Sequence, residues 1–285
     1  MRVWRIGGRT VHPIGIGTWG MGGDRLPDGE IFADYRDDDR EIEAIRAAVE
    51  LGQNHIDTAQ LYGAGHTEEI VGEAISGLDR EELFIATKVW RSHSLRHAVP
   101  HAAEESLRKL RIDVLDLLYV HAPWDSIPMD EYIAGLDDAV DAGLTRAIAV
   151  SNFSADQLLT AVRLSRHPIV ANQVRYNLLH HGQVDSHMRD ICAEHGVTIV
   201  AYRPVERRLL ADQATSPAVL DIAAEVGCTP AQLAIAWVIN QPGVVTIPKA
   251  SSREHLEENL AATRVQIPGG AQARLDSLGR KDGTE

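Results

Sequence analysis

Eight short apolar runs recur along this chain at a nearly even beat, and helical patterns fill the gaps between them. The runs cover residues 14–17, 55–59, 83–89, 114–121, 145–151, 169–174, 198–202 and 244–248. Between them Ile42, Ile45 and Val49 form one helical stripe, Ile70, Ala74 and Ile75 a second, and Ala103, Leu107 and Leu110 a third. Helix starts carry their own chemistry. Ser154 with Gln157 and Ser251 with Glu254 fit capping boxes, and Thr229-Pro230 sets a cap ahead of a first-turn proline. Strands separated by helices must cross over, so the sheet is parallel and helices cover it. Eight strands in 285 residues predict a closed (β/α)8 barrel, a fold of about 250 residues. An open doubly wound sheet is the alternative architecture. Ahead of the first run, Val3, Trp4, a Gly7-Gly8 turn and Val11 predict a short N-terminal β-hairpin. No long polar linker divides the chain, so residues 1–285 are expected to form one domain.

Barrel chemistry sits at the carboxyl ends of the strands. Four residues able to share or move a proton fall there: Asp57, Tyr62, Lys88 and His121. Side chains alternate along a strand, so Leu117, Tyr119 and His121 share one face, as do Phe84, Ala86 and Lys88, and His55, Asp57 and Ala59. A lysine and an aspartate ending apolar strands are costly to bury alone, which predicts that they pair. Each residue by itself has an ordinary reading: a structural ion pair, a packing tyrosine, a core histidine. Their coincidence at one rim is what asks for a function.

The net charge of −13, from 41 acidic and 28 basic residues, disfavours a nucleic-acid partner, because phosphate backbones require a basic face. Residues 1–10 contain no apolar run of the kind a signal peptide or membrane anchor needs. No membrane association is expected, and a cytoplasmic location is. Cys192 and Cys228 lack metal or CxxC spacing and read as reduced, buried thiols. His180-His181 lacks the spacing of a zinc site and reads as solvated loop, so no metal is expected.

The stretches Asn54-His55-Ile56-Asp57-Thr58-Ala59 through Tyr62-Gly63, Ala86-Thr87-Lys88-Val89 and Asp113 to His121 resemble signature segments of the aldo-keto reductases. Val150-Ser151-Asn152-Phe153, Asn172-Gln173 and Ile247-Pro248-Lys249 continue the resemblance in the same order. It implies a metal-free barrel that reduces aldehydes and ketones with NAD(P)H, on small-molecule carbonyl substrates. It also implies a catalytic tetrad of Asp57, Tyr62, Lys88 and His121. Tyr62 would donate the proton, with Lys88 lowering its pKa by about 1–3 units. Asp57 would keep Lys88 charged, and His121 would orient the carbonyl. The resemblance does not require more than a monomer, and the oligomeric state stays open.

Gly15-Ile-Gly17-Thr-Trp-Gly20 matches GxGxxG, but residues 21–37 show no helical stripe, so a Rossmann reading lacks its helix. The resemblance instead sets Thr18 and Trp19 near the nicotinamide end. It assigns Ser151, Asn152 and Gln173 to the carboxamide and Tyr202 to stacking on the ring. Lys249, Ser251 and Ser252 would meet the 2′-phosphate where a helix opens, with Asn259 near the adenine. Two departures stand out. His255 holds a position often occupied by arginine in the family, with Arg253 two residues earlier, so NADPH is implied while NADH use stays open. Tyr202-Arg203-Pro204-Val205-Glu206-Arg207-Arg208 replaces a glycine-bearing loop, leaving Arg203, Arg207 or Arg208 to meet the diphosphate or to lie on the surface.

Trp19, Trp90 and Trp124, with Tyr62 and His121, are expected to wall an apolar substrate pocket. Two other functions fit parts of the pattern. Lys88 at a strand end suits a Schiff-base lyase, and the barrel would also serve as a nucleotide-binding regulatory subunit with negligible turnover.

Overall fold

The computed structural model describes residues 3–24, 29–206 and 217–278. Strands β1 (Trp4–Ile6) and β2 (Arg9–Val11) pair antiparallel as the expected hairpin. Gly7 and Gly8, at φ 55° and 83°, supply the two left-handed residues that its tight turn requires.

Eight parallel strands follow, one inside each apolar run: β3 (Ile16–Gly17), β4 (His55–Asp57), β5 (Phe84–Val89) and β6 (Leu117–Val120), then β7 (Ile148–Ser151), β8 (Ile169–Arg175), β9 (Thr198–Tyr202) and β10 (Val244–Thr246). Each pairs with its neighbour in sequence. The ends meet: Ile14 bridges Thr246 in parallel. Gly15 N–H donates to the Thr246 carbonyl at 2.7 Å, and Thr246 N–H to that of Pro13 at 2.8 Å. This is the (β/α)8 barrel, not the open sheet. Close backbone approach on the two sides of β3 also accounts for the first two glycines of the GxGxxG match. A Cβ on Gly15 would sit 2.6 Å from the His55 carbonyl oxygen, and one on Gly17 2.5 Å from that of Ile247. Those glycines let strand backbones approach.

The three stripes lie on α1 (Asp38–Glu50), α2 (His66–Ile75) and α3 (Ala98–Leu110). They bury against the outer barrel face, with Ile42 and Val49 only partly covered. The other helices are α4 (Met129–Asp141), α5 (Ala155–Leu164), α6 (Ser186–His195), α7 (Pro217–Val226), α8 (Pro230–Asn240), α9 (Arg253–Ala261) and α10 (Gly269–Asp276). Ser154 and Gln157 form a full capping box at α5. Thr229 and Gln232 form another at α8, with Pro230 in its first turn. The expected Ser251–Glu254 box does not form. Ser252 is the extended residue that caps α9, accepting from the His255 N–H, so the helix starts one residue later than its pattern suggested.

Inward residues of the strands, including Phe84, Ala86, Leu117, Tyr119, Ala149 and Val200, fill the barrel, and Ile6 and Val11 of the hairpin close its amino end. Arg9 of β2 reaches the buried Asp116, which also pairs with Arg80 at 2.7 Å and Arg146 at 2.9 Å. The floor is therefore sealed by packing and by charge, and the opposite rim is left for chemistry. Cys192 is buried as a free thiol, whereas Cys228 is only partly so. His181 is half-buried and packs edge-on to Trp237 at 5.4 Å, so it is not a solvated loop residue. No single helix among the described residues is long and apolar enough to cross a membrane.

Candidate active site

The ionisable residues all stand at or just past the carboxyl ends of neighbouring strands. Asp57 ends β4, Lys88 is the last inward residue of β5, and His121 follows β6. Tyr62 opens a 3-10 turn after β4 that folds back over the rim. Lys88 is completely buried. Its ammonium makes three hydrogen bonds: to Asp57 Oδ1 at 2.5 Å, to the Thr58 carbonyl at 2.9 Å and to the Tyr62 hydroxyl at 3.2 Å. An ammonium has three donors, so all are used. Asp57 Oδ2 accepts from Gln173 Nε2 at 2.7 Å. Every group of the expected quartet is therefore at the rim, and the predicted Asp57–Lys88 pair is made.

Burial alone would strip Lys88 of its proton, but Asp57 and Tyr62 outweigh it and raise its pKa above the ordinary lysine value. Lys88 is a cation at neutral pH. The phenol of Tyr62 departs from expectation. Burial pushes its pKa upward, Lys88 pulls it down and Asp57 pushes it up again, and the net shift is upward. The cation alone would lower the phenol, but desolvation of a phenolate outweighs it. Tyr62 consequently holds its proton at neutral pH. Burial, helped by Lys88, lowers His121 to about 3, so this imidazole is neutral. His55, one inward position below Asp57, is lowered to about 4 by burial and is likewise neutral. Neither of its ring nitrogens has a hydrogen-bond partner.

Aromatic rings stand around this group. Trp19 meets Tyr62 edge-on at 4.9 Å, Tyr62 meets His121 at 5.7 Å, Trp90 meets His121 at 5.0 Å, and Trp124 meets Trp90 at 5.0 Å. All three tryptophans keep part of their surface open. The predicted wall is thus a continuous file of rings beside the Tyr62 hydroxyl.

The remaining residues that the resemblance assigns to a cofactor lie in or just past β3, β7, β8, β9 and β10. Asn152, at φ 63°, donates to the His121 carbonyl and to Ser151 Oγ, and accepts from the Tyr202 hydroxyl at 2.9 Å. Ser151 Oγ donates to the Gln173 carbonyl. Thr18 is fully buried and its hydroxyl donates to the Asp57 carbonyl. Lys249 donates to the Gly20 carbonyl at 2.6 Å, tying the segment after β10 to the segment after β3. Ser251, Ser252 and His255 stand at the amino end of α9, with Asn259 buried one turn further on. Arg253 turns away to an ion pair with Glu50 on α1. Arg203 is exposed at φ 50°, and its carbonyl accepts from Asn177. Glu206 pairs with Arg175 at 2.7 Å. Arg207 and Arg208 lie outside the described residues. Among those described, no group of three or more His, Cys, Asp or Glu side chains is placed to hold a metal ion.

Residues 13–280 match the profile described as Aldo/keto reductase family. The chain belongs to the aldo/keto reductase family. Its oxidoreductase members act on carbonyl groups. This aldo/keto reductase is 33% identical over 271 residues to the methylglyoxal reductase YeaE of Escherichia coli K12, covering 94% of this chain and 90% of that one. It is 32% identical to the methylglyoxal reductase DkgB of Escherichia coli O157:H7, covering 94% and 95%. Among solved structures, the thermostable aldo-keto reductase Tm1743 in complex with the inhibitor epalrestat superposes with a TM-score of 0.90 at 39% identity, over 98% and 100% of the two chains. An aldo-keto reductase from Klebsiella pneumoniae in complex with NADPH gives 0.83 at 34% identity, over 96% and 94%.

Two contacts of this candidate site leave no signal in the sequence. The resemblance points Gln173 to a cofactor, and nothing local announces that it reaches Asp57, 116 residues away in sequence. Ser94 carries no motif at all, yet its buried hydroxyl accepts from the Trp124 indole.

Proposed function

We propose that this reductase converts aldehydes and ketones to alcohols using NADPH, with NADH as a weaker substitute, and that Tyr62 is its proton donor. The observation that carries this reading is the buried Lys88 ammonium, hydrogen-bonded at once to the Asp57 carboxylate and the Tyr62 hydroxyl. Negative charge grows on a carbonyl oxygen as it is reduced, and it is best met by a donor already in place. Tyr62 keeps its proton through the neutral range and releases it to that oxygen. Lys88 then stabilises the phenolate at short range. Asp57 and Gln173 hold Lys88 in its charged, fixed state. Neutral His121 can donate one hydrogen bond to the carbonyl oxygen and so aim it at Tyr62.

The chemistry of the rim fits a dinucleotide. The amino end of α9 offers N–H groups and a positive dipole end to a phosphate, and Lys249 adds a cation beside it. Ser151, Asn152 and Gln173 would hold the carboxamide, and the half-exposed Tyr202 would face the nicotinamide ring. Bound there, NADPH supplies the hydride.

Relatives named methylglyoxal reductases make a small dicarbonyl the first substrate to try. The decisive experiment measures NADPH and NADH consumption with methylglyoxal and a panel of aromatic and aliphatic aldehydes. Turnover lost in Tyr62→Phe supports the assignment, and full turnover in that variant removes Tyr62 as the acid. A Schiff-base role for Lys88 requires a free amine lone pair. The amine here is protonated, with all three hydrogens engaged, so borohydride is expected to trap no carbonyl on Lys88. A purely regulatory barrel would leave the buried proton donor without a purpose.

A further inference from the structure

Trp90 and Trp124 sit on different loops, one after β5 and the other after β6. Their rings meet edge-on, at 79° and 5.0 Å between centroids. Edge-to-face pairs of this kind are weak, too weak alone to hold two loops in one arrangement. Two hydrogen-bonded straps join the loops. The outer one, from Arg91 to Ser126 Oγ at 2.8 Å, is exposed, so water competes for both partners. The inner one passes through a single buried hydroxyl. Ser94 Oγ donates to the Trp90 carbonyl at 3.0 Å and accepts from the Trp124 indole N–H at 3.2 Å.

We propose that Ser94 is the specificity-determining positioning residue of the substrate cleft: its hydroxyl locks the Trp90–Trp124 pair into the wall that bulky apolar carbonyls pack against. The inference rests on the reductase reading of the site. Ser94 touches neither Tyr62, Lys88 nor His121, so it acts through the tryptophans. The backbone of Trp90 is fixed independently, because Gln60 Oε1 accepts from its N–H and His93 N–H donates to its carbonyl. The ring of Trp90 already packs on His121 at 5.0 Å. The backbone of Trp124 is held too, its carbonyl accepting from the Ile127 N–H at 3.1 Å, but among the described residues Ser94 is the partner of its indole nitrogen. When the Ser94 hydroxyl is removed, Trp124 keeps its packing on the core but loses the bond that fixes the tilt of its ring, and the outer part of the wall loosens while the part next to His121 stays. A small carbonyl that contacts only Trp90 and His121 is little affected. A carbonyl with an aromatic group that reaches Trp124 loses its packing surface.

The test compares wild type, Ser94→Ala, Trp124→Phe and the double variant, with methylglyoxal as the small substrate and 4-nitrobenzaldehyde as the aromatic one. In Ser94→Ala the KM for the aromatic aldehyde is expected to rise about fivefold to tenfold, the size of one net hydrogen bond, with kcat and the methylglyoxal KM moving much less. Trp124→Phe keeps a ring but lacks the N–H, so it should reproduce the shift, and the double variant should add little to either single change. Circular dichroism supplies a readout that needs no turnover. The exciton couplet of two indoles held edge to face should weaken in Ser94→Ala. An unchanged couplet with an unchanged ratio of the two KM values would overturn the role of Ser94. If none of the carbonyls supports NADPH consumption by wild type, it is the reductase reading that fails, and the couplet alone still reports whether Ser94 orders the pair.

Discussion

Gln173 grips Asp57 from the far wall of the barrel. Its amide nitrogen donates to Oδ2 at 2.7 Å from β8, while Lys88 of β5 takes Oδ1. A buried carboxylate with both oxygens engaged is an anchored charge, and the ammonium depends on it. Gln173→Leu leaves one oxygen of that anion without a donor, which costs about 1–3 kcal/mol. For a protein of this size the melting temperature should fall by roughly 2–8 °C. Thermal melts without cofactor provide the check. If Gln173 served only a carboxamide, the melt would not move and only the KM for NADPH would rise.

The phenol of Tyr62 sets the pH range of carbonyl reduction. A general acid must carry its proton, and burial raises the pKa of this one above the ordinary tyrosine value. kcat for reduction should therefore stay level through neutral pH and fall only on the alkaline side, as pH climbs through the raised phenol value. His121 is lowered to about 3, so no histidine inflection should appear near pH 6.5, the ordinary imidazole value. Tyr62→Phe should lower kcat by about 10²–10⁴-fold while the NADPH dissociation constant, read by fluorescence quenching, moves less than about twofold. A kcat that halves between mildly acidic and neutral pH would assign the acid to another group.

Lys249 makes one observed contact and is proposed to make a second, and the readouts of one substitution tell which matters. Its hydrogen bond to the Gly20 carbonyl ties the barrel seam, and its charge stands where the 2′-phosphate is proposed to bind. Lys249→Met removes both. If the phosphate contact dominates, the KM for NADPH should rise about tenfold or more, the worth of a charge-assisted hydrogen bond, with the KM for NADH nearly constant. Equal increases for the two nucleotides would mean that the strap to Gly20 is what matters.

Strands, stripes and the meeting of Asp57, Tyr62, Lys88 and His121 at one rim were legible in the sequence because each follows a local rule: alternation on a strand, spacing on a helix, polar residues where a barrel strand ends. The Tyr62 shift was not legible, since its sign depends on how deeply the ring is buried, and that is decided by Trp19 and His121 packing on it. The cap of α9 moved from Ser251 to Ser252 because adjacent serines are equivalent in a pattern and only backbone dihedrals choose between them. Contacts between distant strands, such as Gln173 with Asp57, leave no local trace at all.

His66 at the start of α2 gives the fold its own pH dependence. Its ring is nearly buried, lies 4.0 Å from that of Tyr35, and is held between Glu69 at 2.8 Å and Asp38 at 3.0 Å. Burial lowers its pKa, but the two carboxylates outweigh burial and raise it above the ordinary value. A folded pKa above the unfolded one means that the stabilisation is complete below about pH 6.5 and is lost as pH rises through the folded value. Asp38 and Glu69 are partly exposed, which keeps the gain near the modest size of screened pairs, about 1 kcal/mol. In His66→Asn the melting temperature should fall below wild type by a clear margin at about pH 6, and that margin should shrink by about pH 9. A deficit that stays constant across this range would show that the ring acts through packing on Tyr35 and not through its charge.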